Sequence, residues 1–169
     1  MHDADRAEVR QAGWMYLVAT HIGTAFILIL FLWIGKVTGS LDFDQWTNIS
    51  GAGSGVLAAW FVLAVIGFGT KAGFWPFHVW LPEAHPAAPS HVSAVMSGVM
   101  IKTGIYGLIR ILTFLGPPPI WWGLTILGVG IVSGILGVLF ALAQHDLKRL
   151  LAYHSVENIG IIAIGIGAG

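Results

Sequence analysis

The sequence contains no cysteine. That excludes disulfides, thiolate metal sites and cysteine nucleophiles, and leaves the redox compartment open. Charge is scarce as well. Only 9% of residues are Asp, Glu, Lys or Arg, against roughly a quarter in an ordinary soluble domain. Eight basic residues balance eight acidic ones, so no surplus of one sign exists to grip nucleic acid. No signal peptide is expected, because the opening "MHDADRAEVR" is polar and of mixed charge and leads straight into a run of spanning length. No soluble domain and no long linker is visible.

What is there is apolar: 56% of the chain is hydrophobic. Too little polar surface remains to cover a water-soluble particle, and lipid is the better solvent. Five apolar runs, at about 13–35, 56–81, 92–115, 120–143 and 150–169, each approach the roughly 20 residues that a membrane-crossing helix needs. The expected fold is all-α, a polytopic membrane helix bundle of about five transmembrane helices. A polar segment over 1–12 precedes a membrane domain over 13–169. If all five runs cross, Arg6, Arg10, Lys148 and Arg149 share one face, with only Lys36 and Arg110 toward the other. By the positive-inside rule the N-terminal segment is cytoplasmic. Trp121 and Trp122 then open the fourth run at the opposite interface, as an aromatic belt would. Gly130 and Gly134 stand at GxxxG spacing, which predicts close helix packing.

Ionisable residues interrupt this pattern in "KAGFWPFHVWLPEAHPAAPSHVSAVMSGVMIKTGIYGLIR", residues 71–110. Charge at membrane depth is costly and is retained mainly beside a partner or a water-filled path. Ser90 is a fitting N-cap for the third run. Lys102 lies twelve residues on, about 18 Å along a helix and near mid-membrane. A structural ion pair or a lysine reaching the interface is one reading. The other is a relay group, since an amine in apolar surroundings gives up its proton more readily. Lys71 is also deep. Five residues later Pro76 removes an amide donor, and Gly69 and Gly73 weaken the same turn. The second run is therefore expected to be a broken helix with free backbone groups beside Lys71, as transporters use at ion sites, rather than a merely kinked one.

"HVWLPEAHPAAPSH" reads as a short proline-rich turn between spans. His78, Glu83, His85 and His91 fit no familiar metal-ligand spacing, and no metal is expected. His78 and His91 are candidate proton carriers between the lysines, because histidine titrates near neutrality. Helical spacing sets His91, Val95, Val99, Lys102, Tyr106 and Arg110 along one side of the third helix. In "LLAYHSVENIG", His154 and Glu157 lie on neighbouring turns, either as a continuing relay or as a local pair at a helix start.

The stretches "KAGFWPFHVWLPEAHPAAPSHVSAVMSGVMIKTGIYGLIRI" and "AQHDLKRLLAYHSVENIGI" resemble the proton-conducting membrane subunits shared by respiratory complex I, Mrp antiporters and membrane-bound nickel–iron hydrogenases. The hydrogenase branch is the nearest in wording. The resemblance implies an antiporter-like fold of about fourteen helices around two inverted five-helix repeats, each with one broken helix. This chain then matches the sixth to ninth helices and most of the tenth. It also implies that the lysine of the broken seventh helix is Lys71 and that of the eighth is Lys102. The glutamate that pairs with the seventh-helix lysine in the family belongs to a fifth helix absent from this chain, as is the second repeat, so the resemblance implies a fragment of a longer subunit.

The expected function is therefore a proton-translocating subunit of a membrane-bound hydrogenase or complex I-like oxidoreductase, in the inner membrane of a prokaryote. A Mrp-type sodium/proton antiporter subunit is the alternative. Relay residues are Lys71, Lys102, His78, His91, His154 and Glu157, with Pro76 and Gly73 at the helix break. The chain shows no cofactor-binding loop, so no cofactor is expected. Redox chemistry falls to peripheral partner subunits beside other membrane subunits, the lipid bilayer and protons.

Overall fold

The computed structural model describes residues 6–169, and among these the chain is helical with no strand. Five stretches are long and apolar enough to cross a membrane: Ala7–Thr38, Ser54–Ala87, Ser90–Leu115, Ile120–Leu142 and Leu147–Ala168. The five-span expectation holds, and the second span is broken. Of the polar segment expected over 1–12, residues 1–5 lie outside the described residues, and from Ala7 onward it is the opening of the first helix, α1 (Ala7–Thr38).

Polar residues inside α1 turn back onto its own backbone. Thr20 and Thr24 hydroxyls donate to the carbonyls of Tyr16 and Thr20 at 2.9 and 2.8 Å, and His21 Nδ1 lies 2.8 Å from the Leu17 carbonyl. In lipid, where water cannot serve them, such bonds let a helix carry polar groups. The helix stops at Gly39, whose φ of 78° is left-handed and whose N–H reaches the Gly35 carbonyl.

The polar connection that follows contains a 3-10 helix, Phe43–Gly51. Trp46 is fully buried there. Its ring meets Phe31, Phe43 and Phe114, and its indole N–H donates to the Ser40 carbonyl at 3.0 Å. This aromatic cluster closes one end of the bundle.

The second span comprises α2 (Ser54–Ala72), a 3-10 turn at Phe77–Val79 and α3 (Trp80–Ala87). The stretch read as a proline-rich turn is thus largely helical. Pro82 falls in the first turn of α3, where an amide hydrogen has no intrahelical acceptor to lose. Trp80, Leu81, Ala84 and His85 are buried. The third span is α4 (Ser90–Val95), a π-helical turn at Met96–Met100 and α5 (Ile101–Leu115). The Ile101 amide bonds the Met96 carbonyl five residues back. The N-cap position belongs to Pro89, not Ser90, and no side chain caps this helix.

The last two spans are α6 (Ile120–Leu142) and α7 (Leu147–Ala168), the latter capped by Asp146, whose side chain accepts from the Arg149 amide at 2.9 Å. They pack along a line of glycines. A Cβ at Gly130 would stand 2.7 Å from the Ile164 nitrogen, one at Gly137 would stand 2.7 Å from the Glu157 nitrogen, and one at Gly160 would collide with the Gly134 nitrogen. Lipid supplies no hydrophobic force between helices, so close backbone approach of this kind holds them together. Trp121 is exposed, as a belt residue should be. Trp122 instead is buried and stacks flat on Phe61 at 4.6 Å.

Candidate functional site

The break in the second span is built by Gly73 more than by Pro76. Gly73 has φ 83°, and both its amide and that of Phe74 bond the Gly69 carbonyl at 2.9 Å. This is the left-handed stop that glycine makes without strain. Pro76, joined to Trp75 by a cis bond, lies in the linking turn. Of the backbone groups expected to be free beside Lys71, the Gly69 and Thr70 carbonyls are taken up, while those of Lys71 and Ala72 carry no hydrogen bond among the described residues. The Trp80 indole donates to the Thr70 carbonyl at 2.9 Å, and the Trp75 amide donates to the buried Ser133 hydroxyl on α6 at 3.0 Å. Side chains from beyond the break thus cover part of the half-helix end.

Lys71 sits in the last turn of α2, partly buried, at the negative end of that helix's dipole. Among the described residues it has no hydrogen bond or ion pair. Lys102 sits one position after the start of α5 and near the middle of its span. Its Nζ donates to the Ser97 carbonyl at 2.6 Å, across the π-helical turn. Lys102 was expected to be buried, but it is exposed, as are His91, Val95, Val99, Tyr106 and Arg110 on the same side. Val99, Lys102, Tyr106 and Arg110 leave their part of this face open, whereas His91 and Val95 border a pocket against α1. The helices that carry the two lysines are in close contact, because a Cβ on Gly104 of α5 would stand 2.9 Å from the Ala72 nitrogen of α2. Lys102, two residues from Gly104, points away from that contact and is exposed.

A cleft of about 580 Å³, lined by Ser97 but not by Lys102, runs between the third span, α3 and α7 and carries several polar side chains. At one end His85 Nδ1 lies 2.6 Å from the Ser93 hydroxyl, with His85 itself 2% exposed and its Nε2 buried without a partner. One turn further, the Ser97 hydroxyl meets the Ser155 hydroxyl of α7 at 2.9 Å. Ser97 thus touches α7 with its side chain and Lys102 with its carbonyl. Hydroxyl and imidazole groups both donate and accept, and the cleft has room for several waters at about 30 Å³ each to bridge the turn between Ser93 and Ser97.

The remaining candidates divide. His154 lines this cleft and holds Glu157 at 2.6 Å. Glu157 in turn lines an apolar groove against α6. His78 lies in the turn of the broken helix, with Nδ1 buried and unpartnered. His91 faces the other way, toward an apolar pocket lined by Val9, Ala12 and Tyr16 of α1. The structure therefore brings together His85, Ser93, Ser97, Ser155, His154 and Lys102, and leaves His91 outside. His85, Ser93, Ser97 and Ser155 were not singled out from sequence. A serine repeat at i, i+3 and i+7 (Ser90, Ser93, Ser97) was the available signal.

The two ends of the bundle are distinct. Lys148 Nζ donates to the Ala88 carbonyl at 3.0 Å, and Arg149 forks onto Glu83 at 2.9 and 3.0 Å, so the ends of α3 and α7 lie together. The aromatic cluster around Trp46 and Phe114 marks the opposite end.

Comparison with known proteins agrees with this architecture. The chain is 49% identical over 159 residues to hydrogenase-4 component B of Escherichia coli (strain K12), covering 92% of this chain and 24% of that protein. It is 37% identical over 160 residues to formate hydrogenlyase subunit 3 of the same organism, covering 93% and 26%. A chain of the Mrp complex from Dietzia sp. DQ12-45-1b superposes with a TM-score of 0.90 at 29% identity, over 99% of this chain and 19% of that one. The chain spans about a quarter of the length of the curated relatives it matches. It is an integral membrane protein, and its relatives are named as parts of larger assemblies. A family model described as "NADH:quinone oxidoreductase/Mrp antiporter, TM" matches residues 2–169, and the chain belongs to that family.

Proposed function

We propose that the chain is part of a proton-translocating subunit of a redox-driven membrane complex of the hydrogenase type, with Lys71 and Lys102 as relay groups. The observation that carries this reading is the Lys102 ammonium. It is a cation at mid-span, 2.6 Å from the Ser97 carbonyl, and Ser97 belongs to a polar cleft that also holds His85, Ser93 and Ser155. A proton entering at the end that bears Lys148 and Arg149 is taken up by His85 or by the His154–Glu157 pair. It moves over the serine hydroxyls and cleft water toward Lys102, with Lys71 as the neighbouring relay group and His78 at the break as a further acceptor. His91 faces away from the cleft and stays off this path, and His85 takes its role.

The basic residues at that end favour the cytoplasm, in the inner membrane of a prokaryote, with the polar N-terminal segment of 1–12 on the same side. Electron transfer belongs to peripheral redox subunits, joined to this one through other membrane subunits. The identity to hydrogenase-4 component B supports the redox-driven reading. The superposition on a Mrp chain favours a second, a sodium/proton antiporter subunit. The full-length complex reconstituted in vesicles separates them. Redox turnover should drive proton uptake in sodium-free buffer, and Lys71→Met should abolish most of it. Proton movement that requires sodium in exchange and ignores redox turnover would establish the antiporter instead.

A further inference from the structure

We infer that the first turn of α7 is a clasp that positions His85 for proton uptake, acting through Lys148 and Arg149. The inference rests on the relay reading of the cleft. Two ties make the clasp. Arg149 Nη2 donates to both oxygens of Glu83, at 3.0 and 2.9 Å. Lys148 Nζ donates to the carbonyls of Ala88 at 3.0 Å and Pro86 at 3.5 Å. Glu83 lies two residues before His85, and the two carbonyls follow it, so α3 is gripped on either side of the histidine.

The short helix needs such a grip. It has eight residues, and Pro82 and Pro86 contribute no amide hydrogen. A helix of two turns has little stability of its own. The 3-10 turn at Phe77–Val79 precedes it and Pro89 follows it. Yet its histidine is held in a single costly arrangement, 2% exposed, with Nδ1 on Ser93 and Nε2 buried without a partner. Trp80, Leu81 and Ala84 are buried and anchor the start of α3, and the clasp adds a restraint beside and beyond His85, whose unpartnered nitrogen would be better served by water. A lone exposed ion pair would be a weak restraint, and the Glu83–Arg149 groups are 40% and 44% exposed. Here one nitrogen serves both carboxylate oxygens, and it is the second tie, from the adjacent Lys148, that makes a two-point restraint. Lys148 also satisfies carbonyls that the end of α3 leaves open. The same helix carries His154 and Ser155 further along, so the clasp fixes the entry histidine relative to the groups that receive its proton.

The test uses the full-length subunit in its assembled complex, reconstituted in vesicles, with proton uptake measured per redox turnover. His85→Gln and Arg149→Gln should each lower uptake by about tenfold or more, as displacement of a reacting group does. The double variant should fall no further than His85→Gln alone, because the arginine acts through the histidine. Exchanging the charges, Glu83→Arg with Arg149→Glu, should restore most of the uptake lost in Arg149→Gln. An assembled Arg149→Gln complex with full uptake beside an impaired His85→Gln complex overturns the clasp and leaves the relay standing. Losses that multiply in the double variant, or an assembled charge exchange without recovery, also overturn it. Full uptake in His85→Gln overturns the histidine step itself and the clasp with it.

Discussion

Gly104→Ala tests the close contact between the two lysine-bearing helices, α2 and α5. A methyl group on Gly104 would lie 2.9 Å from the Ala72 nitrogen, 3.0 Å from the Phe68 oxygen and 3.2 Å from the Ala72 Cα. All three are backbone atoms of α2 and cannot rotate aside. Ordinary contact begins at 3.4 Å, so α2 and α5 must part by about half an ångström. Overpacking of this kind costs about 1–3 kcal/mol. Replacing glycine inside a helix returns about 0.5–1 kcal/mol, which leaves a net loss of up to about 2.5 kcal/mol. Gly128→Ala is the control, because its added carbon meets nothing within 4 Å and only the helical gain applies. Thermal unfolding of the full-length subunit in lipid nanodiscs should rank Gly104→Ala a few degrees below wild type and Gly128→Ala at or slightly above it. A Gly104→Ala protein that melts with or above Gly128→Ala would refute the close α2–α5 contact.

Other outcomes follow from the same geometry. Ser133→Ala removes the acceptor for the Trp75 amide at the break, and melting curves should show a loss of about 1–3 kcal/mol. Trp80→Phe keeps the ring but orphans the Thr70 carbonyl, and a loss of similar size is expected in the same assay. Single cysteines at Asp44 and His145, at opposite ends of the bundle, should react differently with an impermeant reagent added outside intact cells. Only Asp44→Cys should be labelled, and equal labelling of both would contradict the orientation.

Spans and glycine contacts were legible in the sequence because both are local patterns, an apolar run of sufficient length and a small residue at every fourth position. The break was legible for the same reason, although Gly73, not Pro76, ends α2. The connection over residues 39–53 is polar enough to read as a loop, and the rings of Phe31 and Phe114, outside that connection, join Phe43 in making Trp46 a core residue. Prolines at 82 and 86 suggested a turn, but the first occupies a helix start and the carbonyls near the second find Lys148. Composition could not tell His85 from His91, which differ only in the side of the chain they share with α7 or α1. The π-helical turn at Met96–Met100 carries no propensity signal at all, yet it gives Lys102 its only hydrogen bond among the described residues.

Proton uptake per electron in the reconstituted full-length complex carrying Lys102→Leu tests the central claim most directly. Leucine roughly preserves the volume and removes the ammonium that bonds the Ser97 carbonyl, so the complex should insert and assemble. The account predicts a collapse of uptake, with redox turnover slowed only as far as it is coupled to proton movement. Lys102→Arg should rescue poorly, because a guanidinium does not release its proton. Undiminished uptake per electron with leucine at position 102 would make this lysine a structural group and contradict the relay.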